Sequence, residues 1–401
     1  MSRRSPSRSP RSRPRALWRA HDALLRDPRQ IVAQWWDAAA PQPELLAQRV
    51  RGAFWDVLKE AGGTLFVSRE YEHLLLCLRA EKGGGRVSWL RLPHPSGLAV
   101  DERRGRLHVA STRNPNVLFE FAPATGFLGE EPGDETLRGA LLPVSARYLP
   151  GRLYLHDLAF VGGALHGSAC GINAIVRFPE AGGFRPVWWP RSIDAPAGPR
   201  FDRNYLQLNS IAAGRTLKES FFSASAAVPS ARRPGQRNFP VDGRGVLFSG
   251  RKRDVVATGL TRPHSARLHG GRVWVANSGY GELGVVAGDR FEPLARLPGW
   301  TRGLACRGGV AFVGTSRVIP RFRSYAPGLD EDKSRTGVHA VDLRTGRVLG
   351  SLFWPGGNQI FAVELAGALK TTGFPPASKG QAGGERLRRF HFGGLASQVL
   401  P

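Results

Sequence analysis

Residues 260–284 read LTRPHSARLHGGRVWVANSGYGELG, and the order of parts in this stretch decides the fold. A Pro-bearing turn leads into a small polar pair, His264-Ser265, and then into a short apolar strand. A Gly270-Gly271 hairpin turn follows, and then a second apolar strand, RVWVANS. The same order recurs at Ser96-Gly97 (SGLAV, then RLHVAST), His156-Asp157 (HDLAF, then ALHGSAC), Asn209-Ser210 (LNSIA, then SFFSASA) and Arg302-Gly303 (RGLAC, then VAFVGTS). A sixth copy, at Gln359-Ile360 (NQIFAVEL), has the first strand only. A phrase repeated at this spacing marks an array of one supersecondary unit. Short strands with turn signals between them make that unit a β-hairpin or meander. Six units predict an all-β, six-bladed β-propeller.

The incomplete sixth copy indicates how the ring closes. Thr64-Leu65-Phe66-Val67-Ser68 reads as the second strand of a blade, yet no polar pair precedes it. The missing halves fit each other: the C-terminal phrase is expected to supply the inner strand of the blade whose outer strands are residues 64–92. Closure of this kind removes free sheet edges, which invite aggregation. The outer strands end at Pro or Gly just before the next phrase, as in RVSWLRLP, FEPLARLP and VLGSLFWP. The expected organisation is a disordered Ser/Arg/Pro arm over 1–15, a helical segment over 16–61, the propeller over 62–366 and a mostly irregular tail over 367–401 with a short strand at 389–392. In the helical segment, Asp27-Pro28 is a capped start, and Pro43 opens a second helix that stops at Gly62-Gly63. Trp35, Trp36, Phe54 and Trp55 are its docking residues, as a packing plug or as a lid over the channel. Two Arg/Pro-rich insertions, 227–243 and 317–335, break the blade rhythm and are long enough to be functional.

The net charge of +25 raises the question of nucleic acid. Only seven of the 57 basic residues are Lys, beside 50 Gly and one Met, which reads as codon usage in a GC-rich genome. Six of the arginines lie within residues 1–15, and the remainder are scattered rather than striped, so the basic patch with stacking aromatics that nucleic acid requires is missing. Nucleic acid is therefore not the expected partner. No run approaches the ~18 apolar residues of a membrane span, so no membrane association is expected. Arg3-Arg4 lacks a following apolar stretch, which argues against export. Cys77, Cys170 and Cys306 have no metal or redox spacing and sit in or beside apolar strand phrases. Buried reduced thiols and a cytoplasmic location are the expectation.

In a propeller the innermost strands line the axial channel, so the positions opening the phrases converge at one rim. Ser96, His156, Asn209, His264, Arg302 and Gln359 form that ring, with Asp157 and Ser265 alongside. Asn277 and Glu282, at the far end of a second strand, join the candidate set, although tight-turn chemistry also accounts for the residues there. Arg302 offers a planar fork for carboxylate or phosphate, and histidine can serve as acid, base or ligand. His156 and His264 are the candidate catalytic pair; Asp157, Asn209, Ser265, Asn277, Glu282, Arg302 and Gln359 are candidate ligand contacts. Such a ring suits an anionic or polyhydroxylated small molecule. Calcium or another divalent metal, held by His156, Asp157, Asn209 and His264, is a poorer fit because the ring is short of carboxylates. There is no phosphate-cradling Gly loop, no zinc spacing and no GxSxG.

The strings LHDLAF, YLQLNSIA, PHSARL, NSGYGELG, LPGWTRGLA, AFVGTSRVIPRF and WPGGNQIFAVE resemble those of a bacterial family of conserved hypothetical proteins, domain of unknown function 4915, over roughly residues 50–366. The resemblance implies a propeller-like fold and no particular activity. Its motif positions match His156, Asp157, Asn209, His264, Ser265, Asn277, Gly281, Glu282, Arg302 and Gly303. Three functions remain open at this point. One is small-molecule binding at the channel, extending to hydrolase or lyase chemistry by the His pair. Another is a non-catalytic scaffold that binds a protein or peptide through 227–243 and 317–335. The third is a metal-dependent lactone or ester hydrolase.

Overall fold

The computed structural model of the chain describes residues 43–113, 116–124, 139–236 and 238–375. The arm over 1–15, the helix opening at Asp27-Pro28 with Trp35 and Trp36, and the strand expected at 389–392 lie outside those residues. The described chain begins with a 3-10 turn at Pro43–Leu45, β1 (Arg49–Gly52) and helix α1 (Phe54–Ala61), followed by β2 (Thr64–Arg69), β3 (Leu74–Glu81) and β4 (Gly84–Arg91) of blade one. Blade two holds β5 (Pro95–Asp101), β6 (Arg106–Ser111), β7 (Asn116–Pro123) and β8 (Leu141–Leu149). Blade three holds β9 (Leu155–Val161), β10 (Ala164–Ala169), β11 (Ala174–Arg177) and β12 (Arg185–Trp188). Blade four holds β13 (Leu208–Ala212), β14 (Phe221–Ala224), β15 (Gly245–Ser249) and β16 (Val255–Leu260). Blade five holds β17 (Pro263–His269), β18 (Arg272–Asn277), β19 (Glu282–Ala287) and β20 (Arg290–Arg296). Blade six holds β21 (Trp300–Arg307), β22 (Val310–Ser316), β23 (Gly337–Asp342) and β24 (Val348–Phe353), and β25 (Ala362–Ala366) returns to blade one.

The molecule is therefore a six-bladed propeller of antiparallel sheets, closed as its sequence led us to expect. β25 pairs antiparallel with β2, from Thr64↔Ala366 to Ser68↔Ala362. A blade is flanked by two others, so its second strand is buried on both faces; all six residues of β2 are buried. That is why these strands read as short, nearly continuous apolar runs. The outer strands face solvent on one side and alternate, as β8 does. The serines that end the second strands join neighbouring blades. Ser68 Oγ donates to Ser96 O (2.6 Å), Ser168 Oγ to Leu208 O (2.7 Å), Ser278 Oγ to Thr301 O (2.6 Å) and Ser316 Oγ to Ile360 O (3.1 Å).

The N-terminal helix is shorter than its sequence pattern. Arg49–Gly52, expected to be helical, forms β1 and pairs with β24 as a fifth strand of blade six. Gly52, at φ 62°, breaks the path, and the ladder offered by β24 outweighs the weak helix preference of the segment. α1 buries Phe54, Val57 and Leu58, spaced for one helical face, together with Phe312 of blade six and Leu76 of blade one. Phe54 meets Phe312 edge to face, with centroids 6.2 Å apart. The described part of the segment thus seals the seam between the first and last blades and takes no part in the channel mouth. Among the described residues no helix is long and apolar enough to cross a membrane.

The inner strands β5, β9, β13, β17, β21 and β25 each neighbour the next around the axis. Five of them slip register at the polar pair, between Pro95 and Leu98, at His156, at Asn209, between His264 and Arg267, and between Thr301 and Leu304. A bulge re-aims one side chain out of the ladder. Repeated around the ring, it points a set of polar residues at the axis.

Candidate functional site at the channel mouth

One end of the channel opens into a cavity of about 580 Å³. Of the ring residues, His156, Asn209, His264, Arg302 and Gln359 line it. The turns leading into the inner strands carry a repeated conformation. His94, Tyr154, Gln207 and Arg262 all have positive φ (42–54°) and each stands two residues before its ring position. Left-handed backbone at a non-glycine residue costs on the order of 1–3 kcal/mol and persists only where the surroundings impose it. His73 Nδ1 accepts from His94 N (3.1 Å) in the first of these turns, and asparagine side chains hold the other three. Asn116 Oδ1 accepts from Tyr154 N (2.9 Å), Asn173 Oδ1 from Tyr205 N and Leu206 N (2.8 and 3.0 Å), and Asn277 Oδ1 from Thr261 N (2.7 Å). The turns so held project Tyr154, Gln207 and Arg262 into the cavity.

A chain of side chains runs across the floor. Arg302 Nε donates to His264 Nε2 (3.0 Å), and the guanidinium lies 3.5 Å from the Phe361 ring centroid. Because Nε2 accepts, Nδ1 carries the His264 proton and donates it to Ser265 Oγ (2.9 Å). Ser265 Oγ in turn accepts from Gly303 N (2.8 Å). Gln359 accepts from Arg302 Nη1 (2.9 Å) and donates to Glu70 Oε2 (3.1 Å). Glu70 Oε1 accepts from Thr112 Oγ1 (2.5 Å) and lies 3.5 Å from Arg113 Nε. Both imidazoles meet Phe361 edge-on, and their own centroids are 6.1 Å apart. Burial, with Arg302 nearby, lowers the pKa of His156 to about 3 and holds that of His264 well below the usual histidine range. His156 Nδ1 donates to Tyr154 O (2.9 Å), which leaves Nε2 as an acceptor.

The cavity is electropositive. Arg262 donates to Gln207 Oε1, is 3.4 Å from Ser225 Oγ and stacks on Tyr325 with 3.9 Å to the ring centroid. Burial lowers the pKa of Arg262 and of Arg302 to about 10, and both remain cations at neutral pH. Arg262 Nε, Trp300 Nε1 and Asn209 Oδ1 are buried with no hydrogen-bond partner. Buried polar atoms are seldom left so, and all three residues line the same cavity.

Other sequence-derived candidates sit elsewhere. Asp157 neighbours His156 but belongs to the channel interior. Its carboxylate takes Arg267 bidentately (2.7 and 3.1 Å) and accepts from Ile211 N (2.9 Å), so blade five is tied to blade three past blade four. This pair raises the pKa of Arg267 further. Asp157 therefore does not converge with His156, Asn209 and His264 on a metal. Among the described residues no three His, Cys, Asp or Glu side chains form a ligand set, and the two cationic arginines make the mouth a poor place for a hard cation. Ser265 is part of the bulge, at φ 55°, and Ser96 Oγ donates to Leu155 O (2.8 Å). Asn277 donates to Glu282 Oε2 (2.8 Å); this couple acts on the site only through the turn before Arg262.

Sequence reasoning missed Glu70, Arg113, Arg262, Trp300 and Phe361 as parts of the mouth. Arg262 and Trp300 had a readable signal, since both lie one or two residues before a ring phrase. Both insertions also reach the cavity, Arg233 from the first and Phe322 and Tyr325 from the second. Tyr325 Oη donates to Gly235 O (3.3 Å), which joins the two. Cys77 and Cys170 are buried free thiols and Cys306 is partly buried; burial pushes all three up to about 12.

Solved structures share the architecture. The chain is similar to one in a nidogen/laminin complex, at a TM-score of 0.51 and 11% identity, with 77% of this chain and 100% of that chain covered. A protein of unknown function from Bacteroides caccae gives 0.47 and 10%, covering 76% and 99%. A gluconolactonase of Xanthomonas campestris gives 0.41 and 15%, covering 66% and 77%. At such identities the likeness speaks to fold alone. A comparison with curated protein sequences found no match. The family signature, by contrast, matches residues 52–373, most of the chain and the whole of the described ring. This six-bladed propeller belongs to the family defined as domain of unknown function DUF4915.

Proposed function

We propose that the channel mouth binds a small organic anion, held by Arg302 and Arg262. The observation that carries this reading is the pairing of the two buried guanidiniums. Their direct hydrogen-bond partners are neutral side chains, His264 and Gln359 for Arg302 and Gln207 and Ser225 for Arg262, and the one carboxylate lining the mouth, Glu70, meets Arg302 through Gln359 and lies 3.5 Å from Arg113 Nε. A buried charge needs a counter-charge, and an anionic ligand supplies it. The cavity volume falls in the usual range for small-molecule sites. The histidines support binding in preference to acid–base chemistry. An efficient proton-transfer group has a pKa near the working pH, whereas His156 and His264 are held neutral in fixed tautomers as hydrogen-bond partners. The two insertions belong, in this reading, to the small-molecule site and not to a separate protein-docking surface, because they line the same cavity.

Calorimetric titration with organic carboxylates and phosphate esters tests the proposal. Arg302→Gln removes one charge-assisted contact, worth about 1.5–3 kcal/mol, or roughly a 10–100-fold loss of affinity. Equal affinity of wild type and Arg302→Gln for every anion that binds would sink it.

A further inference from the structure

The polar atoms that the fold leaves unsatisfied specify more than charge. Resting on the anion-binding reading, we infer that the ligand is a polyhydroxylated ring acid, a sugar acid in chemical class. Three features of the mouth meet in this inference.

The first is a set of donors. Arg262 Nε and Trp300 Nε1 are buried without partners beside the Arg302 guanidinium. An anionic group satisfies these, since a carboxylate accepts through both oxygens and donates nothing when ionised. The second is a pair of acceptors that an anion cannot satisfy. Asn209 is 2% exposed, and its Nδ2 is spent on one backbone and one hydroxyl contact, Pro263 O (2.8 Å) and Ser225 Oγ (3.2 Å).

 Its Oδ1 therefore still lacks a donor. His156 spends Nδ1 on Tyr154 O, and its Nε2 lone pair is left to the cavity that the residue lines. Two acceptors facing one cavity call for two O–H or N–H donors on the ligand. Hydroxyls meet that need without adding positive charge next to Arg302 and Arg262.

The third feature is an aromatic wall. Tyr71 and Phe322 stack at 6.0 Å with 12° between their planes, and Trp300 and Tyr325 pack against Phe322 at 5.3 and 5.7 Å. All four line the cavity. The apolar face of a ring can lie on such a wall, because aromatic side chains supply a large apolar surface with a polar edge. An anion, two hydroxyls and a ring face together describe a sugar acid. An acid without hydroxyls would leave Asn209 Oδ1 buried and unpaired, and the loss of a buried partner is what gives hydrogen-bonding sites their selectivity.

Calorimetric titration of the full chain with three matched probes, D-glucuronate, D-glucose and cyclohexanecarboxylate, separates the two levels of the argument. D-Glucuronate is expected to bind at least 10-fold more tightly than either of the others. Arg302→Gln should erase its advantage over D-glucose. Asn209→Ala and His156→Phe should each erase part of its advantage over cyclohexanecarboxylate; melting temperature reports whether each variant is folded, and His156→Phe keeps the ring packing on Phe361. If cyclohexanecarboxylate binds as tightly as D-glucuronate, the sugar-acid inference falls and the anion reading stands. If D-glucose matches D-glucuronate, or if none of the three binds, both fall.

Discussion

At the scale of single residues, the buried charges of the channel do different work at different depths. Arg302 and Arg262 at the mouth have neutral partners, whereas Arg267 deeper in has Asp157 as a bidentate partner. Removal of one member of a buried pair strands the other charge and costs about 3–5 kcal/mol. Asp157→Asn is accordingly expected to lower stability by about that amount in urea unfolding; a change below about 1 kcal/mol would show that the pair is not structural. The histidines set a pH dependence. The folded-state pKa values of His156 and His339 are lowered to about 3, and that of His264 lies well below 6.5; burial is the first cause in each case. The unfolded chain therefore binds more protons than the folded one between about pH 6.5 and 3. The histidine contribution is full above pH 6.5 and falls as pH drops through that window, by up to about 1.4 kcal/mol per pH unit for each histidine, opposed in part by the carboxyl of Glu364, whose pKa burial raises to about 7. A melting temperature that stays flat from pH 7 to pH 4.5 would contradict this. Asn209 and Gln359 were legible as ring members because their repeat positions are equivalent. Glu70 was not, because it follows a second strand and stands outside the phrase that repeats.

At the scale of the element, the bulge found in five of the six inner strands is the device that turns a repeat into a site. Its geometry is tight in blade six. Gly303 has φ 86°, and a Cβ there would lie 2.7 Å from Val363 N and Val363 Cγ2 of the neighbouring inner strand. Gly303→Ala should therefore both strain the backbone and push β21 away from β25, lowering the melting temperature by several degrees and weakening anion binding, since Arg302 is the adjacent residue. Unchanged melting and affinity would show that the bulge tolerates a side chain. The bulges could not be read in advance as such. The sequence shows a polar pair, but whether that pair sits in register or slips depends on the partner strand. The same limit explains β1. Residues 49–52 carry a helical pattern, and only the free edge of β24 makes them a strand.

At the scale of the whole molecule, the ring closes through five residues near the far end of the described chain. β25 completes blade one as its inner strand, and α1 packs over the seam beside it. Deletion from residue 362 onward would expose β2 as a long apolar edge. Such edges pair with other chains, so the truncated protein is expected to aggregate and to lose cooperative unfolding in circular dichroism; a monomeric truncation with a sharp melt would refute the closure as a stability element. Six repeats, the half-phrase at each end and their fit to one another were properties of the sequence alone, because strand periodicity, turn residues and apolar runs are local. They determined the fold class and the closure. Which polar residues meet was decided only by the tertiary structure. A ring residue and its chain neighbour differ by one position and point in different directions, so His156 faces the mouth and Asp157 faces Arg267. Side chains from separate turns and from both insertions become neighbours only when six blades are wrapped about a common axis.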